Sequence, residues 1–367
     1  MIELQSGVGN YINVKGKKYS YFGGNNYLGL ANHPLVKEAA IQAVMKFGIN
    51  FSASRRTTGT ASIHIELEKQ LSAFKGKEDS VTFASGYQGN SLLLDVLKDK
   101  YSVILMDQFA HPSIMAGIRG NTTKILYYKH LDSGHLGELL HANKNSRFLV
   151  ITDGIFALTG EIAPVNKIYP LVKEYNAILI VDDAHSTGIL GRTGKGTPEY
   201  FDLHEAVNIY QAETMSKALG SYGGFISGSR DFITDIREKS TTYQASTALP
   251  PPLVAAGIAA LRVIQDNPQR HTELLDKALK FREQIISLNF KTTLDNTPII
   301  PLIMSSLDDA KNLSAFLDNL GIIVPFINYP VNQEINMLRI TITADHTNDQ
   351  TGQLLEMLKK WKQNEKK

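Results

Sequence analysis

Three short apolar runs, each followed directly by an aspartate, constrain the fold of this chain most strongly. The runs are 102–106, 148–152 and 177–181, and the aspartates that follow them are Asp107, Asp153 and Asp182. Uninterrupted runs rich in Val and Ile are typical of strands buried on both faces. Stretches with helical spacing also occur along the chain, as at Ile63, Leu67, Leu71 and Phe74. The alternation predicts an α/β fold with a mostly parallel sheet.

The aspartates also predict where a ligand binds. In an open parallel sheet the ligand crevice lies outside the carboxyl ends of the strands. Asp107, Asp153 and Asp182 are therefore expected to point toward one place. A strand-end aspartate can instead cap the next helix. For Asp107 and Asp153, both interpretations stay open.

The order of elements changes along the chain of 367 residues, which predicts three parts. Residues 1–45 form an N-terminal segment, and 46–265 form the large domain. After a helix-rich stretch, the candidate strands 299–304, 322–324 and 338–343 indicate a smaller C-terminal α+β domain over 266–367.

Composition excludes several classes of function. With 38 basic and 36 acidic residues and no long single-sign run, the chain lacks the basic stripe of a nucleic-acid or membrane-surface protein. The absence of cysteine excludes disulfides, thiolate metal sites and a cysteine nucleophile. No apolar run approaches the ~18 residues of a membrane span, and residues 1–20 do not resemble a signal peptide. We expect a cytoplasmic protein that binds neither metal nor nucleic acid.

The strongest chemical signal is the segment Val181-Asp182-Asp183-Ala184-His185-Ser186-Thr187-Gly188, with Lys217 35 residues after Asp182. Pyridoxal 5′-phosphate (PLP) needs a carboxylate to keep its pyridine nitrogen protonated, and Asp182 is placed to supply it. The cofactor also needs an amine to form a Schiff base, which Lys217 provides. Asp183 is expected to face away, because neighbouring strand residues point to opposite sides.

A phosphate loop is predicted at Ser85-Gly86-Tyr87-Gln88, between the strand-like 81–83 and the apolar run 92–96. Backbone N–H groups at the start of a helix bind phosphate well. Thr214 and Ser216, which flank Lys217, add hydroxyl donors.

These segments, in this order, resemble the α-oxoamine synthases, which are PLP enzymes of aminotransferase fold type I. The resemblance covers about 21–346 and includes Asn25-Asn26-Tyr27-Leu28-Gly29, His111-Pro112-Ser113, Thr214-Met215-Ser216-Lys217, Ser246-Thr247-Ala248 and Leu338-Arg339-Ile340-Thr341. Members join an amino acid to an acyl-CoA with loss of carbon dioxide. The resemblance therefore implies PLP as cofactor, and an amino acid and an acyl-CoA as substrates.

The resemblance also implies roles for individual residues. His111 stacks on the pyridine ring, His185 hydrogen-bonds the ring hydroxyl, and Asp182 pairs with the ring nitrogen. Lys217 carries the cofactor, and Ser85, Gly86, Tyr87 and Thr214 hold its phosphate. Ser246 and Thr247 reach the phosphate in the neighbouring subunit, which implies a homodimer with its active site at the subunit interface. Arg339 binds the carboxylate of the amino acid by its planar fork, and Asn26 lies near the substrate.

Some positions depart from the family pattern. Ala157 stands where a serine is common, Glu213 where glycine is usual, and Met337 replaces the first arginine of an Arg-x-Arg pair. The segment 326–330 also lacks the arginine found in many 8-amino-7-oxononanoate synthases. The missing arginine favours a 2-amino-3-ketobutyrate CoA ligase or a serine palmitoyltransferase over an 8-amino-7-oxononanoate synthase.

Two alternatives to this function remain at this point. The first is another fold type I PLP enzyme, an aminotransferase or aldolase, which releases no CoA. The second is a non-catalytic PLP-binding protein. His64 is expected to pack or cap a helix rather than react.

Overall fold

The computed structural model describes residues 2–118, 123–327 and 336–364. Its strands are β1 (Tyr11–Val14), β2 (Lys17–Tyr21), β3 (Asp79–Phe83), β4 (Val103–Asp107), β5 (Lys124–Tyr128), β6 (Phe148–Asp153), β7 (Ile178–Asp182), β8 (Ile209–Thr214), β9 (Gly224–Gly228), β10 (Ile299–Ile303), β11 (Ile322–Ile323), β12 (Phe326–Ile327) and β13 (Met337–Thr341). Its helices are α1 (Pro34–Phe47), α2 (Ser62–Lys75), α3 (Gly89–Leu97), α4 (Pro112–Ile118), α5 (Ser133–Ala142), α6 (Val165–Glu174), α7 (Thr197–Tyr200), α8 (Arg230–Lys239), α9 (Thr241–Gln244), α10 (Pro251–Asp266), α11 (Arg270–Ser287), α12 (Leu307–Asn319) and α13 (Asn348–Asn364).

One compact unit comprises residues 34–156 and 162–268 and is built on a seven-stranded sheet. The strand order is β3-β9-β8-β7-β6-β4-β5. From β8 to β5 all neighbours are parallel, whereas β9 runs antiparallel to both β8 and β3. The predicted α/β fold with a mostly parallel sheet is confirmed, and each predicted apolar run is a strand that ends at its aspartate.

Each face of this sheet has its own apolar core, which explains the uninterrupted runs. On the front face, Ile180 and Ala212 pack with side chains of α3, α4 and α8. On the back face, Leu179 and Val181 pack with side chains of α5 and α6. Because side chains alternate along a strand, this assignment fixes which face each polar strand end occupies.

The other compact unit comprises residues 1–33, 157–161 and 269–367. It holds two small sheets, one with the order β1-β2-β11 and one, wholly antiparallel, with the order β10-β13-β12. The three strands predicted in the tail are therefore present. The three-part division at residues 45 and 265 stays a prediction. Across the described ranges, no helix is both long and apolar enough to cross a membrane.

Candidate active site

Two of the three strand-end aspartates share the front face of the large sheet. Asp153 and Asp182 are register partners on β6 and β7 and lie on the same side as Ile151 and Ile180. Asp107 follows Leu105 in the alternation and faces the back. The expectation that all three converge is thus wrong for Asp107.

Asp107 has a structural role. Its carboxylate pairs with His130 Nδ1 at 2.9 Å and accepts the backbone N–H groups of Phe109 and Leu131 at 2.8 and 3.0 Å. It ties the end of β4 to the segment after β5, and because neither amide lies in a helix, Asp107 holds loops in place and does not cap a helix.

Asp182 is buried and is oriented by a residue that the sequence did not single out. Asn90, on the second position of α3, donates its Nδ2 to Asp182 Oδ2 at 2.6 Å. The Ala184 amide donates to the other oxygen at 3.1 Å. Asn90 is itself buried, and its Oδ1 has no hydrogen-bond partner among the residues that the structure describes.

His111 is joined to this pair through Ser113. The His111 Nδ1 accepts the Ser113 amide at 3.2 Å and lies 2.8 Å from the Ser113 hydroxyl. Asn90 Nδ2 donates to that same hydroxyl at 3.1 Å. Burial lowers the pKa of the His111 imidazole, while Asp182 raises it and Lys217 lowers it further. His111, Asp182 and Lys217 therefore act on each other electrostatically on the front face.

Asp153 lies beside Asp182, and this proximity affects its pKa. Burial raises its pKa well above the ordinary value, and the neighbouring Asp182 raises it further. The His111 amide, which donates to Asp153 Oδ1 at 3.0 Å, acts in the opposite direction. Asp153 is thus shifted toward its protonated form, in which a carboxyl can donate a hydrogen bond.

Lys217 lies in the turn that follows β8 and is half-buried. The Gly220 amide donates to the Lys217 carbonyl at 3.0 Å and closes this turn. Thr214, the last residue of β8, donates its Oγ1 to the Gly223 carbonyl at 2.9 Å and accepts the Ser216 amide at 3.1 Å. These bonds fix the backbone on which the lysine is carried.

The predicted phosphate loop packs against the same residue, Thr214. A Cβ on Gly86 would lie 2.7 Å from both Cβ and Oγ1 of Thr214, so only glycine fits this approach. Ser85 begins the short 3-10 helix over Gly86–Gln88, where its Oγ accepts the Tyr87 amide at 3.3 Å. That helix leads directly into α3, so the loop and Asn90 belong to one continuous stretch of helical backbone.

His185 is buried in a tight turn after β7. The Ser186 and Thr187 amides donate to the Asp183 carbonyl at 3.0 and 2.9 Å, and Gly188 adopts a positive φ of 83°. Asp183 itself faces the back, as predicted. Its carboxylate accepts the Thr197 hydroxyl at 2.6 Å and the Thr197 amide at 2.9 Å, as well as Gln211 Nε2.

Arg339 is the central feature of the smaller unit. Nε donates to the Ala157 carbonyl at 2.6 Å, and Nη1 donates to Thr341 Oγ1 at 2.8 Å and to the Gly24 carbonyl at 3.3 Å. Nη2 donates to Asn25 Oδ1 at 3.0 Å and to the Tyr27 hydroxyl at 3.3 Å. All these acceptors are neutral, although the side chain is buried.

Asn25, rather than Asn26, is the asparagine beside this guanidinium. Asn26 is engaged locally: its Nδ2 donates to the Val8 carbonyl at 3.2 Å, and its Oδ1 accepts the Ala31 amide at 3.1 Å. The placement of Asn26 near the substrate stays a prediction, whereas the contact of Asn25 with Arg339 was not anticipated from the sequence.

The remaining predicted residues have distinct settings. Ser246 is half-buried and Thr247 is exposed, and Thr247 forms an isolated bridge with Ser54. Met337, the first residue of β13, is buried in the apolar core, which explains why an apolar residue stands there. His64 caps α2, as expected: its Nδ1 accepts the Ala61 amide, and its Nε2 lies 2.8 Å from the Leu249 carbonyl. Within the segment 326–330, residues 328–330 lie outside the described residues.

The front face of the large unit fits PLP. It offers a buried carboxylate held by Asn90, and a glycine-shaped approach between Gly86 and Thr214 where a side chain is excluded. It also offers a lysine whose charge reaches His111 and Asp153. A ring-nitrogen partner, a phosphate cradle and an amine are the donor set that this cofactor requires.

Comparison with known proteins agrees with this chemistry. Residues 17–358 match the family model described as aminotransferase class I and II. The 8-amino-7-oxononanoate synthase of Thermoanaerobacter pseudethanolicus is 37% identical over 360 residues, which cover 97% of this chain and 91% of the relative. The 8-amino-7-oxononanoate synthase 1 of Bacillus velezensis is 36% identical over 361 residues, with 98% and 92% covered.

Among solved structures, the serine palmitoyltransferase of S. paucimobilis with bound PLP superposes with a TM-score of 0.92. It is 26% identical, and the match covers 98% of this chain and 92% of that one. The cofactor is therefore PLP, and the predicted fold type I is confirmed. The chain belongs to the aminotransferase class I and II family and, within it, is an α-oxoamine synthase.

Proposed function

We propose that this enzyme condenses alanine with a pimeloyl thioester, releasing carbon dioxide and the free thiol and forming 8-amino-7-oxononanoate. The observation that carries the proposal is the match to curated relatives that are named for this product. The match extends over nearly the whole chain. The product dictates its precursors. Its methyl and amino-bearing carbons are those of decarboxylated alanine, and the other seven carbons are those of a pimeloyl group.

This choice reverses the ranking made from the sequence, which placed 8-amino-7-oxononanoate synthases last. That ranking depended on a missing arginine in 326–330. Of those residues, Phe326 and Ile327 form a two-residue strand paired with β13, and the rest lie outside the described residues. The absence of one side chain weighs less than a sequence identity of 36–37% over nearly the whole chain.

The residues of the chain divide the work as follows. PLP, when bound, withdraws electrons from the α-carbon of the amino acid. Asp182, oriented by Asn90, holds a proton on the pyridine nitrogen, and His185 binds the ring hydroxyl. Lys217 would hold the cofactor and, with the amino acid bound, would take the α-proton at Nζ. His111 packs on the ring.

The acyl transfer balances without any further reactant. A bond forms between the α-carbon and the acyl carbon while the C–S bond breaks, and the thiol takes up a proton. The bond to the carboxylate carbon then breaks with loss of carbon dioxide, and the electron pair left on the α-carbon takes up a proton. Every atom of the three products thus comes from the two substrates and one proton.

Arg339 supports the amino-acid half of the proposal. A guanidinium is permanently charged, and burial without a counter-ion is costly unless an anion arrives. All five of its donors meet neutral acceptors, two of them at the long distance of 3.3 Å. We infer that the substrate carboxylate takes over these long contacts and supplies the negative charge that none of the described residues in contact with Arg339 provides.

A panel assay tests the function. Purified holoenzyme is mixed with alanine, serine or glycine and with pimeloyl or palmitoyl thioester, and thiol release is followed with a chromogenic disulfide. We expect release that depends on alanine and pimeloyl thioester, with the amino ketone found by mass spectrometry. Formation of a keto acid without thiol release would instead identify an aminotransferase.

Serine palmitoyltransferase chemistry is the second candidate, because the structural match to that enzyme reaches a TM-score of 0.92. The same panel separates the two functions. Release with serine and palmitoyl thioester, and none with alanine, would favour this candidate.

We also propose that the enzyme is a homodimer in which Ser246 and Thr247 bind the phosphate in the partner's site. Large apolar side chains exposed on and just after α1 support this, notably Met45 (80% exposed) and Ile49 (66%). Such side chains are typical of a protein interface. Thr247 is also exposed and therefore free to reach another subunit.

Subunit mixing tests the shared site. Lys217→Ala removes the catalytic amine, and the double substitution Ser246→Ala with Thr247→Val removes the phosphate hydroxyls. A mixed dimer would hold one intact site, so refolding the two variants together should restore up to about a quarter of the activity. Restoration equal to the sum of the separate variants would contradict the shared site.

A further inference from the structure

A buried ion pair lies on the back face of β8, opposite the front-face residues Ala212 and Thr214. Glu213 is 1% exposed, and its Oε1 lies 2.5 Å from Nζ of Lys75, the last residue of α2. Lys75 is also buried, and its Nζ donates to the Lys195 carbonyl. The function proposed above makes no use of this pair.

A buried ion pair needs a reason, because the desolvation of two charges often exceeds their attraction. Here the compensation is incomplete. Glu213 Oε2 is buried and has no hydrogen-bond partner in the described part of the chain. Two apolar residues of similar volume would stabilise the fold at least as well. The Lys75–Glu213 ion pair is therefore expected to have a role other than stabilising the fold.

The second contact of Glu213 indicates what that is. Its Oε1 accepts the hydroxyl of Thr187 at 2.8 Å. Thr187 lies two residues after His185 in the tight turn after β7. On the back face of the sheet, this hydrogen bond therefore connects the turn to β8, the strand that precedes Lys217.

We propose that Glu213 and Lys75 are positioning residues that hold the His185 turn in place for the cofactor through the Thr187 hydroxyl. This deepens the proposed function, since it depends on His185 binding the ring hydroxyl. A charged acceptor makes a stronger hydrogen bond than a neutral one, so an ionised Glu213 holds Thr187 more firmly than a protonated one.

The protonation of Glu213 adds a pH dependence. Burial raises its pKa to about 7, with Asp183 raising it and Lys75 and Thr187 opposing. The charged groups that act on it are Lys75 at the end of α2, Lys77 two residues later and Asp183 after β7. As pH falls through about 7, Glu213 takes up a proton, and its hold on Thr187 weakens.

The test measures PLP affinity, without substrate, at pH 6 to 8. Thr187→Val removes only the hydroxyl, and Thr187→Ser keeps it. Loss of a hydrogen bond to a charged group should weaken PLP binding about 10-fold at pH 8. Thr187→Val should lose the part of the pH dependence that Thr187→Ser retains, because both variants keep every histidine.

A second measurement uses the protein without cofactor. Amide hydrogen exchange of residues 183–188 should be faster in Thr187→Val than in the wild type at pH 8, after correction for intrinsic rates, and the two should converge at pH 6. Glu213→Gln should show the low-pH behaviour throughout. If that variant does not fold, the Thr187 pair decides the question.

A purely structural role predicts a different result. If Thr187→Val lowers the melting temperature but keeps wild-type PLP affinity, pH dependence and exchange in 183–188, the proposal is overturned. None of these measurements requires an amino acid or a thioester. A negative thiol-release panel would therefore reject the proposed function without deciding this inference.

Discussion

Two consecutive aspartates at the end of β7 have opposite environments. Asp182 faces the front, where it accepts one amide from Asn90 and one backbone N–H from Ala184. Asp183 faces the back, where Thr197 and Gln211 supply three donors and where a Cβ on Gly154 would lie only 2.1 Å from its Oδ1. The front carboxylate is oriented, whereas the back one is enclosed.

This difference shows how one sheet separates chemistry from support. Polar groups on the front face surround the proposed cofactor site, and one of them, Asn90 Oδ1, has no partner among the described residues. The back-face groups bind one another, with the Lys75–Glu213 pair next to Asp183. Substitutions on the front face should therefore change catalysis, and those on the back face should change stability or positioning.

The largest expected effect separates two lysines. Lys217→Ala should abolish both the borohydride-trapped cofactor adduct and activity, because it removes the amine that forms the Schiff base. Lys75→Met is the control on the back face and should still give a trapped adduct. Peptide mapping after reduction checks both variants. A label on any lysine other than Lys217 would remove the basis of the assignment.

The next effect compares the aspartates directly. Asp182→Asn should still bind PLP, but loss of the charge should lower the pKa of the pyridine nitrogen by about 1–3 units. Exchange of the substrate α-proton, followed by NMR in deuterated water, should slow by roughly 10- to 1000-fold.

Asp183→Asn is the matched control. Its amide nitrogen would face the donors of Thr197 and Gln211, so we expect a loss of about 2–4 kcal/mol in the free energy of unfolding. The folded fraction should exchange the α-proton normally. If Asp183→Asn slowed exchange and Asp182→Asn did not, the ring partner would be Asp183.

Much of this division could be predicted from the sequence. Because successive side chains of a strand point to opposite faces, Asp182 and Asp183 are predicted to point apart, whichever helices cover the sheet. The same rule does not separate Asp107 from Asp153, because each directly follows an apolar run of five residues. They lie on opposite faces because Met106 is the register partner of Ile151, and the register between two strands is not fixed by the sequence of either strand alone.

Long-range partners could not be predicted in this way. Asn90 and Asp182 are 92 residues apart, and Arg339 and Asn25 are 314 apart. Propensity and periodicity describe neighbours along the chain, whereas these contacts arise only when helices and strands pack. The contact of Glu213 with Lys75 was likewise hidden, since Lys75 lies far away in sequence at the end of α2.

A smaller effect concerns the arginine of the other unit. Arg339→Lys keeps the charge but loses the planar fork, so amino-acid binding should weaken by about 1.5–3 kcal/mol, roughly 10- to 150-fold. Acyl-thioester affinity should stay unchanged. Titration of the cofactor absorption with amino acid measures the first, and KM for the thioester the second. The reverse pattern would assign Arg339 to the thioester.

The smallest effect concerns Asn90, which connects the two polar groups of the front face. Asn90→Ala removes the donor to Asp182 Oδ2, a hydrogen bond of 2.6 Å, while the Ala184 amide still holds the other oxygen. Because one donor remains, α-proton exchange should slow by only about fivefold to tenfold.

Ser113→Ala is the matched control, since it removes the other acceptor of Asn90 and leaves Asp182 untouched. If Ser113→Ala slowed exchange as much as Asn90→Ala, the bond to Asp182 would not be the important one. The Asn90–Ser113–His111 connection would then be what orients the front face.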